Sequence, residues 1–208
     1  MLDLGAISAK SIEISPFKHM VVQGVLSPVD LAAVRADFPA LPGPGLFPIA
    51  SLVYGPVFQR LVGEVLTGKF ETLIGRKFGL ELGDKPLLVT IRGFSQQRDG
   101  RIHKDSKSKL LSGILYLNDI WDESGGRLRL LRQEGDIADF AVEVPPSGGT
   151  LVMFMRSENS WHGHLPYVGE RRALMFTWMA SKLAFQRELG RHSLSAIVKR
   201  QLASLTQG

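Results

Sequence analysis

The sequence contains no cysteine. That excludes disulfides, thiolate nucleophiles and thiolate metal ligands. No apolar run approaches the roughly 20 residues that a membrane-spanning helix needs, so no transmembrane segment is expected. Met1-Leu2-Asp3-Leu4-Gly5 offers no basic stretch ahead of an apolar core. No signal peptide is therefore expected, and the expected location is cytoplasmic. The formal net charge is only +5, and the basic residues form no long block, which argues against nucleic acid as a partner. Internal repeats and low-complexity tracts are absent as well. What is left is an ordinary globular composition, 44% hydrophobic and 22% charged, in 208 residues, ample for one domain with its own core.

The chain reads as a helical front, a strand-rich centre and a helical tail. Lys18 to Leu26 alternates as a strand does. Ser27-Pro28-Val29-Asp30 has the form of a helix start: a serine cap, proline in the first turn and an acid beside it. That helix should stop near Phe38, because Pro39 disfavours helix in the residue before it. Leu41 to Pro48 reads as a loop, and Val57 to Ile74 as one amphipathic helix. From Pro86 the period changes to two. Leu87 to Ile91, Leu110 to Leu117, Arg127 to Leu131, Phe140 to Val144, Thr150 to Phe154 and Arg172 to Met179 read as strands. Turn residues separate them, as at Ser124-Gly125-Gly126 and Pro145 to Gly149. The expected class is α+β: a single domain over 1–208, with a helical front at about 27–80 and a double-stranded β-helix, or jelly roll, at about 86–180. A C-terminal helix at about 184–205 carries Leu194, Ile197, Val198, Leu202 and Leu205 on one face. That stripe either docks on the parent domain or makes a dimer contact, so monomer and homodimer both stay open.

Chemistry concentrates at the two ends of the strand-rich region. In His103-Lys104-Asp105, the first and third side chains of an extended segment point to one side and can reach one ion. His162 completes a set of two imidazoles and one carboxylate, the facial arrangement that leaves octahedral positions open on a non-haem Fe(II) ion. The basic pair Arg171-Arg172 follows, and a guanidinium there can take a carboxylate through two parallel hydrogen bonds. Neighbours on a strand face opposite ways, so only one arginine points inward. Spacing from His162 and Trp178 favours Arg172, while counting from Gly169 favours Arg171. With Arg172 inward, Leu174, Phe176 and Trp178 share its parity and line the pocket.

These stretches resemble the 2-oxoglutarate/Fe(II)-dependent dioxygenases of the prolyl-4-hydroxylase type, over about residues 18–179. Arg101-Ile102-His103-Lys104-Asp105 is similar to the proximal ligand motif of that family. Ile114 to Trp121 with Gly125-Gly126-Arg127-Leu128 is similar to its central strands, most of all in the hypoxia-inducible-factor prolyl hydroxylases. Gly149 to Phe154, Ser160-Trp161-His162, Pro166, Gly169 and Arg171 to Leu174 are similar to its distal motif. The resemblance implies Fe(II) on His103, Asp105 and His162, and 2-oxoglutarate as cosubstrate. It implies an arginine, Arg172 or Arg171, on the cosubstrate's C5 carboxylate. Tyr116 falls where the hypoxia-type enzymes use a tyrosine hydroxyl for that carboxylate, against the alternative of a plain core aromatic. The implied reaction hydroxylates a substrate C–H bond and yields succinate and carbon dioxide.

The substrate is not written in these motifs. Arg92, Gln96, Gln97, Arg98, Lys104 and Lys107 crowd the approach to the first ligand, where a basic fringe suits an acidic or phosphorylated molecule or is simply a solvated loop. His164 is expected to face the substrate or to support the ligands, and His19 and His192 to be surface or packing residues. Small molecules, glycans and peptides all stay open as substrates. A jelly-roll binding module for a sugar or anion is the alternative to an enzyme, and a cupin-type isomerase would need a richer histidine cluster than His103 alone supplies.

Overall fold

The computed structural model describes residues 1–191. The expected apolar stripe of the tail and His192 lie outside them; the tail helix itself opens at 182 and runs to the edge of the described segment.

Helices form the front. After a short α1 (Leu4–Ala9), α2 (Pro28–Ala36) starts as its sequence demands: Ser27 accepts a hydrogen bond from the Asp30 amide, 3.1 Å, with Pro28 in the first turn. The expected single helix over Val57 to Ile74 is instead two, α3 (Pro56–Val65) and α4 (Gly68–Phe78). Thr67 caps the second, its hydroxyl accepting from the Phe70 amide, so the chain turns at a good cap inside the stretch. Gly79 ends α4 in the left-handed region at φ 68°, which glycine adopts without a steric penalty.

The strands are β1 (His19–Val22), β2 (Phe47–Pro48), β3 (Leu87–Ser95), β4 (Lys109–Tyr116), β5 (Leu128–Leu131), β6 (Phe140–Val144), β7 (Leu151–Met155), β8 (His162–Gly163) and β9 (Gly169–Met179); all but the two-residue β2, inside the expected loop, and β8 fall almost where the period of two placed them. They build a six-stranded sheet in the order β1-β7-β4-β9-β3-β2 and a three-stranded sheet β6-β5-β8, all pairs antiparallel. Such an order, with sequence neighbours rarely adjacent, is that of a jelly roll rather than a meander. Among the described residues no helix is long and apolar enough to cross a membrane.

The large sheet has two differently dressed faces. Val89, Ile91, Leu111, Leu115, Leu151, Met153, Leu174, Phe176 and Trp178 pack against Phe58, Leu61, Phe70 and Ile74 of the helices. Ile114, Tyr116, Val152, Phe154 and Ala173 face the small sheet and meet Leu128, Leu130 and Val144. Each fully buried large apolar side chain contributes roughly 1.5–3 kcal/mol, so the helical layer anchors the sheet from behind. At Gly113 the Phe176 ring lies across the backbone, where an added Cβ would come within 2.1 Å of it.

Candidate metal centre and cosubstrate pocket

The two halves of the ligand set are joined by the backbone. His103 and His162 form an isolated antiparallel bridge, with reciprocal amide-to-carbonyl bonds of 2.9 Å. Their rings lie 4.3 Å apart. Lys104 turns the other way, its ammonium 4.8 Å over the Trp161 ring and 3.1 Å from Glu158 Oε2, which leaves His103 and Asp105 on a common side. One ligand atom each from His103, Asp105 and His162 fall within 4.8 Å of one another.

Both imidazoles are set for coordination through the same nitrogen. Nδ1 of His103 is 2.9 Å from the Arg101 carbonyl, and Nδ1 of His162 is 2.9 Å from the Ser160 carbonyl. A carbonyl can only accept, so each Nδ1 carries the proton and each Nε2 keeps its lone pair. Burial, then the neighbouring His103, pushes the His162 pKa down to about 4, so it is neutral and ready to bind a cation at neutral pH. Asp105 is buried and fully engaged: Ser112 Oγ donates to Oδ2 at 2.6 Å and Lys109 Nζ to Oδ1 at 2.8 Å. Burial pushes its carboxyl up, but Lys109, His162 and the Ser112 bond together hold it below the usual carboxylate value. Soft sulfur ligands are absent and the set is two nitrogens and one oxygen, which suits a divalent iron-like ion.

The inner face of β9 carries Arg171, not Arg172. Arg171 is buried, with Nε donating to the Gly126 carbonyl at 2.8 Å and Nη2 to the Tyr116 hydroxyl at 3.1 Å. Arg172 lies on the helix side, bonded to Glu170 at 3.0 Å and stacked 5.3 Å over Phe38. The expectation that favoured Arg172 is thus corrected by geometry. Its parity argument grouped Arg172 with Leu174, Phe176 and Trp178, and those residues do share a face, but it is the face covered by helices. Trp178 is wholly buried there, stacked on Phe70, and lines no pocket with the ligand set. Tyr116 is fully buried among apolar neighbours, as a core aromatic would be, and its hydroxyl accepts a hydrogen bond from Arg171. Its hydroxyl pKa is raised by burial against the pull of Arg171, so it stays a neutral donor.

The basic fringe is mostly spent on local partners. Arg92 Nη1 donates to Asp99 Oδ2 at 2.6 Å, and the same oxygen accepts from the Gln96 amide at 2.9 Å. Lys104 and Lys107 both lie against Glu158. Arg98 and Gln97 are exposed and, with Arg101 and His164, line an open depression of about 570 Å³ beside the ligand segment. His164 is buried and stays outside the ligand set; burial, then Arg171, lowers its pKa to about 4. His19 is a packing residue, buried edge-on against Phe17. Sequence reasoning missed Lys109 and Ser112. The signal was there in the period of two, which aims Ser112 at the same interior as Ile114 and Tyr116.

Residues 92–180 match the model of the 2OG-Fe(II) oxygenase superfamily. Over that span, less than half of the chain, the sequence is similar to the 2OG-Fe(II) oxygenases. The matched span holds every residue of the ligand set and both arginines of β9. Among solved structures the fold is similar to a Pseudomonas putida prolyl-4-hydroxylase, at 18% identity, TM-score 0.53, covering 86% of this chain and 93% of that one. It is also similar to a Trichoplax adhaerens prolyl hydroxylase in complex with a hypoxia-inducible-factor peptide fragment, at 16% identity, TM-score 0.52, covering 88% and 86%. A third similar structure is the non-heme alpha-ketoglutarate-dependent carbocyclase SnoK from nogalamycin biosynthesis, at 18% identity, TM-score 0.50, covering 77% and 79%. No curated protein sequence matches.

Proposed function

We propose that this dioxygenase hydroxylates a substrate C–H bond with Fe(II) on His103, Asp105 and His162 and with the distal carboxylate of 2-oxoglutarate on Arg171 and Tyr116. One observation carries the cosubstrate half. Arg171 is a buried guanidinium whose partners are a carbonyl and a phenol, and no carboxylate pairs with it among the described residues. A buried cation left so is costly unless an anion arrives, and a terminal carboxylate offers the two-pronged partner its fork fits.

When bound, Fe(II) supplies oxygen activation coupled to decarboxylation of 2-oxoglutarate, with succinate and carbon dioxide as coproducts. The protein's part is positional. Ser112 and Lys109 fix the Asp105 carboxylate, the Arg101 and Ser160 carbonyls fix the imidazole planes, and the apolar inner face around Ile114, Val152 and Phe154 excludes water. The similar structures include one holding a peptide and one named as a carbocyclase from nogalamycin biosynthesis, which supports a peptide or small-molecule substrate without choosing between them.

The test is succinate formation from 2-oxoglutarate, with oxygen uptake, in the presence of Fe(II). Succinate that requires all three components supports the reading. Its complete absence under every candidate substrate, with no binding of 2-oxoglutarate to the Mn(II)-loaded protein, would leave a binding module instead.

A further inference from the structure

The strand register sets a second guanidinium beside the first. Ala173 of β9 is the cross-strand partner of Arg92 on β3 and of Tyr116 on β4. Directly opposed residues project to the same face of a sheet, so Arg92, Ala173 and Tyr116 form one row on the inner face. Arg171 shares that face two residues along β9 and is bonded to Tyr116. In the middle of the row stands a methyl group. Tyr116 on one side of the small Ala173, Arg92 on the other and Arg171 two residues along the strand bound a narrow slot-like stretch of the inner face.

Arg92 is built into this wall rather than left on the rim. Its side chain is 16% exposed, and Asp99 anchors it through Nη1 at 2.6 Å. Asp99 is itself fixed by the Gln96 amide, so the anchor does not swing. A guanidinium has five donors, and Asp99 takes Nη1, leaving Nε and Nη2 for another acceptor. The slot therefore holds two guanidiniums, Arg92 and Arg171, and one carboxylate, Asp99. One positive charge is unmatched, and one further carboxylate balances it.

We propose that Arg92 is a second cosubstrate-binding residue, closing the slot over the distal carboxylate of 2-oxoglutarate from the β3 side, with Asp99 as its positioning residue. This inference rests on the reading of Arg171 and Tyr116 given above. It makes a specific claim about selectivity. A 2-oxo acid lacking the distal carboxylate, such as 2-oxovalerate, gains nothing from Arg92.

Binding of 2-oxoglutarate and of 2-oxovalerate to the Mn(II)-loaded protein, measured by calorimetry, tests it without turnover. Arg92→Met is expected to weaken 2-oxoglutarate about tenfold or more, to leave 2-oxovalerate within about twofold, and to leave Mn(II) affinity unchanged. Arg92→Lys should fall in between, and Asp99→Asn should weaken 2-oxoglutarate by a smaller factor through a looser Arg92. The two milder variants decide the matter if Arg92→Met does not fold. The proposal is overturned if Arg171→Met loses 2-oxoglutarate while Arg92→Met binds it within twofold of the parent. Equal weakening of both ligands also overturns it, since that is what a merely structural role would produce. A parent protein that binds no 2-oxoglutarate at all, or an Arg171→Met variant that binds it normally, fails the underlying reading instead.

Discussion

His103 and His162 exchange backbone hydrogen bonds in both directions, each 2.9 Å, so the candidate metal ligands from the two ends of the jelly roll are paired by main chain before any ion is considered. Because that bridge uses no side-chain atom, the ligand and structural roles separate cleanly. His103→Ala should keep the bridge and the fold, with a melting temperature within a few degrees of the parent, as expected for an exposed side chain. It should lose stoichiometric Fe(II) or Mn(II) binding and all succinate formation. Retention of full metal affinity in that variant would remove His103 from the site.

Arg171 and Arg172 are adjacent in sequence and opposite in consequence. Removing Arg171 deletes two hydrogen bonds from a buried cation and the anion partner proposed for it. Arg171→Met should weaken 2-oxoglutarate binding by on the order of 3 kcal/mol, about a hundredfold, given roughly 1.5–3 kcal/mol for a hydrogen bond to a charged group. Arg172→Met removes a partly exposed pair with Glu170, of the kind worth about 0–1 kcal/mol, and should leave that affinity within about twofold. The reverse order in calorimetry would restore the assignment that spacing alone favoured.

That reversal shows where sequence legibility ended. A period of two locates strands and tells which residues share a face, and it placed β4 to β7 and β9 within a few residues. It does not say which face is inside when both are apolar. Leu174, Phe176 and Trp178 are as hydrophobic as any pocket wall, yet they face α3 and α4, because this sheet is covered on both sides. The candidate ligand motif is readable only as a set: His103-Lys104-Asp105 alone is common by chance, and its order and spacing with His162 and the two arginines single it out. Asp99, by contrast, reads as an ordinary loop acid until the fold brings it to Arg92. The helix break at Thr67 was missed for another reason, since the apolar spacing runs on through it and only the cap marks the turn.

Lys109 holds one oxygen of Asp105, the carboxylate proposed to bind the metal. Its ammonium at 2.8 Å from Asp105 Oδ1 neutralises a buried charge in the metal-free protein and opposes an incoming cation. Lys109→Met should therefore act in two directions. The metal-free protein should lose roughly 1–3 kcal/mol in urea unfolding, because a buried carboxylate is left with Ser112 alone. Its affinity for Mn(II) should rise about tenfold, since neither the competing bond nor the like charge remains. A Lys109→Met protein that binds Mn(II) more weakly than the parent would show instead that the lysine serves to orient the ligand.

Acid should undo the metal-free protein through its buried histidines. His162 and His164 are both lowered to about 4 from 6.5, each by burial first, then by His103 for the former and Arg171 for the latter. Between those values the unfolded chain binds protons that the folded one does not. Folding stability must therefore be fully present above about pH 6.5 and fall as pH drops toward 4, by up to on the order of 3 kcal/mol for each histidine. Urea unfolding of the metal-free protein at a series of pH values should show that decline. His164→Gln keeps a polar group of similar reach with no titration, so its stability should fall less steeply over the same range. A variant whose slope matches the parent's would mean that His164 is already protonated in the folded state. In that case the pocket beside Arg171 and Arg92 would hold one more cation than its charge balance, with Asp99 as the one carboxylate, allows.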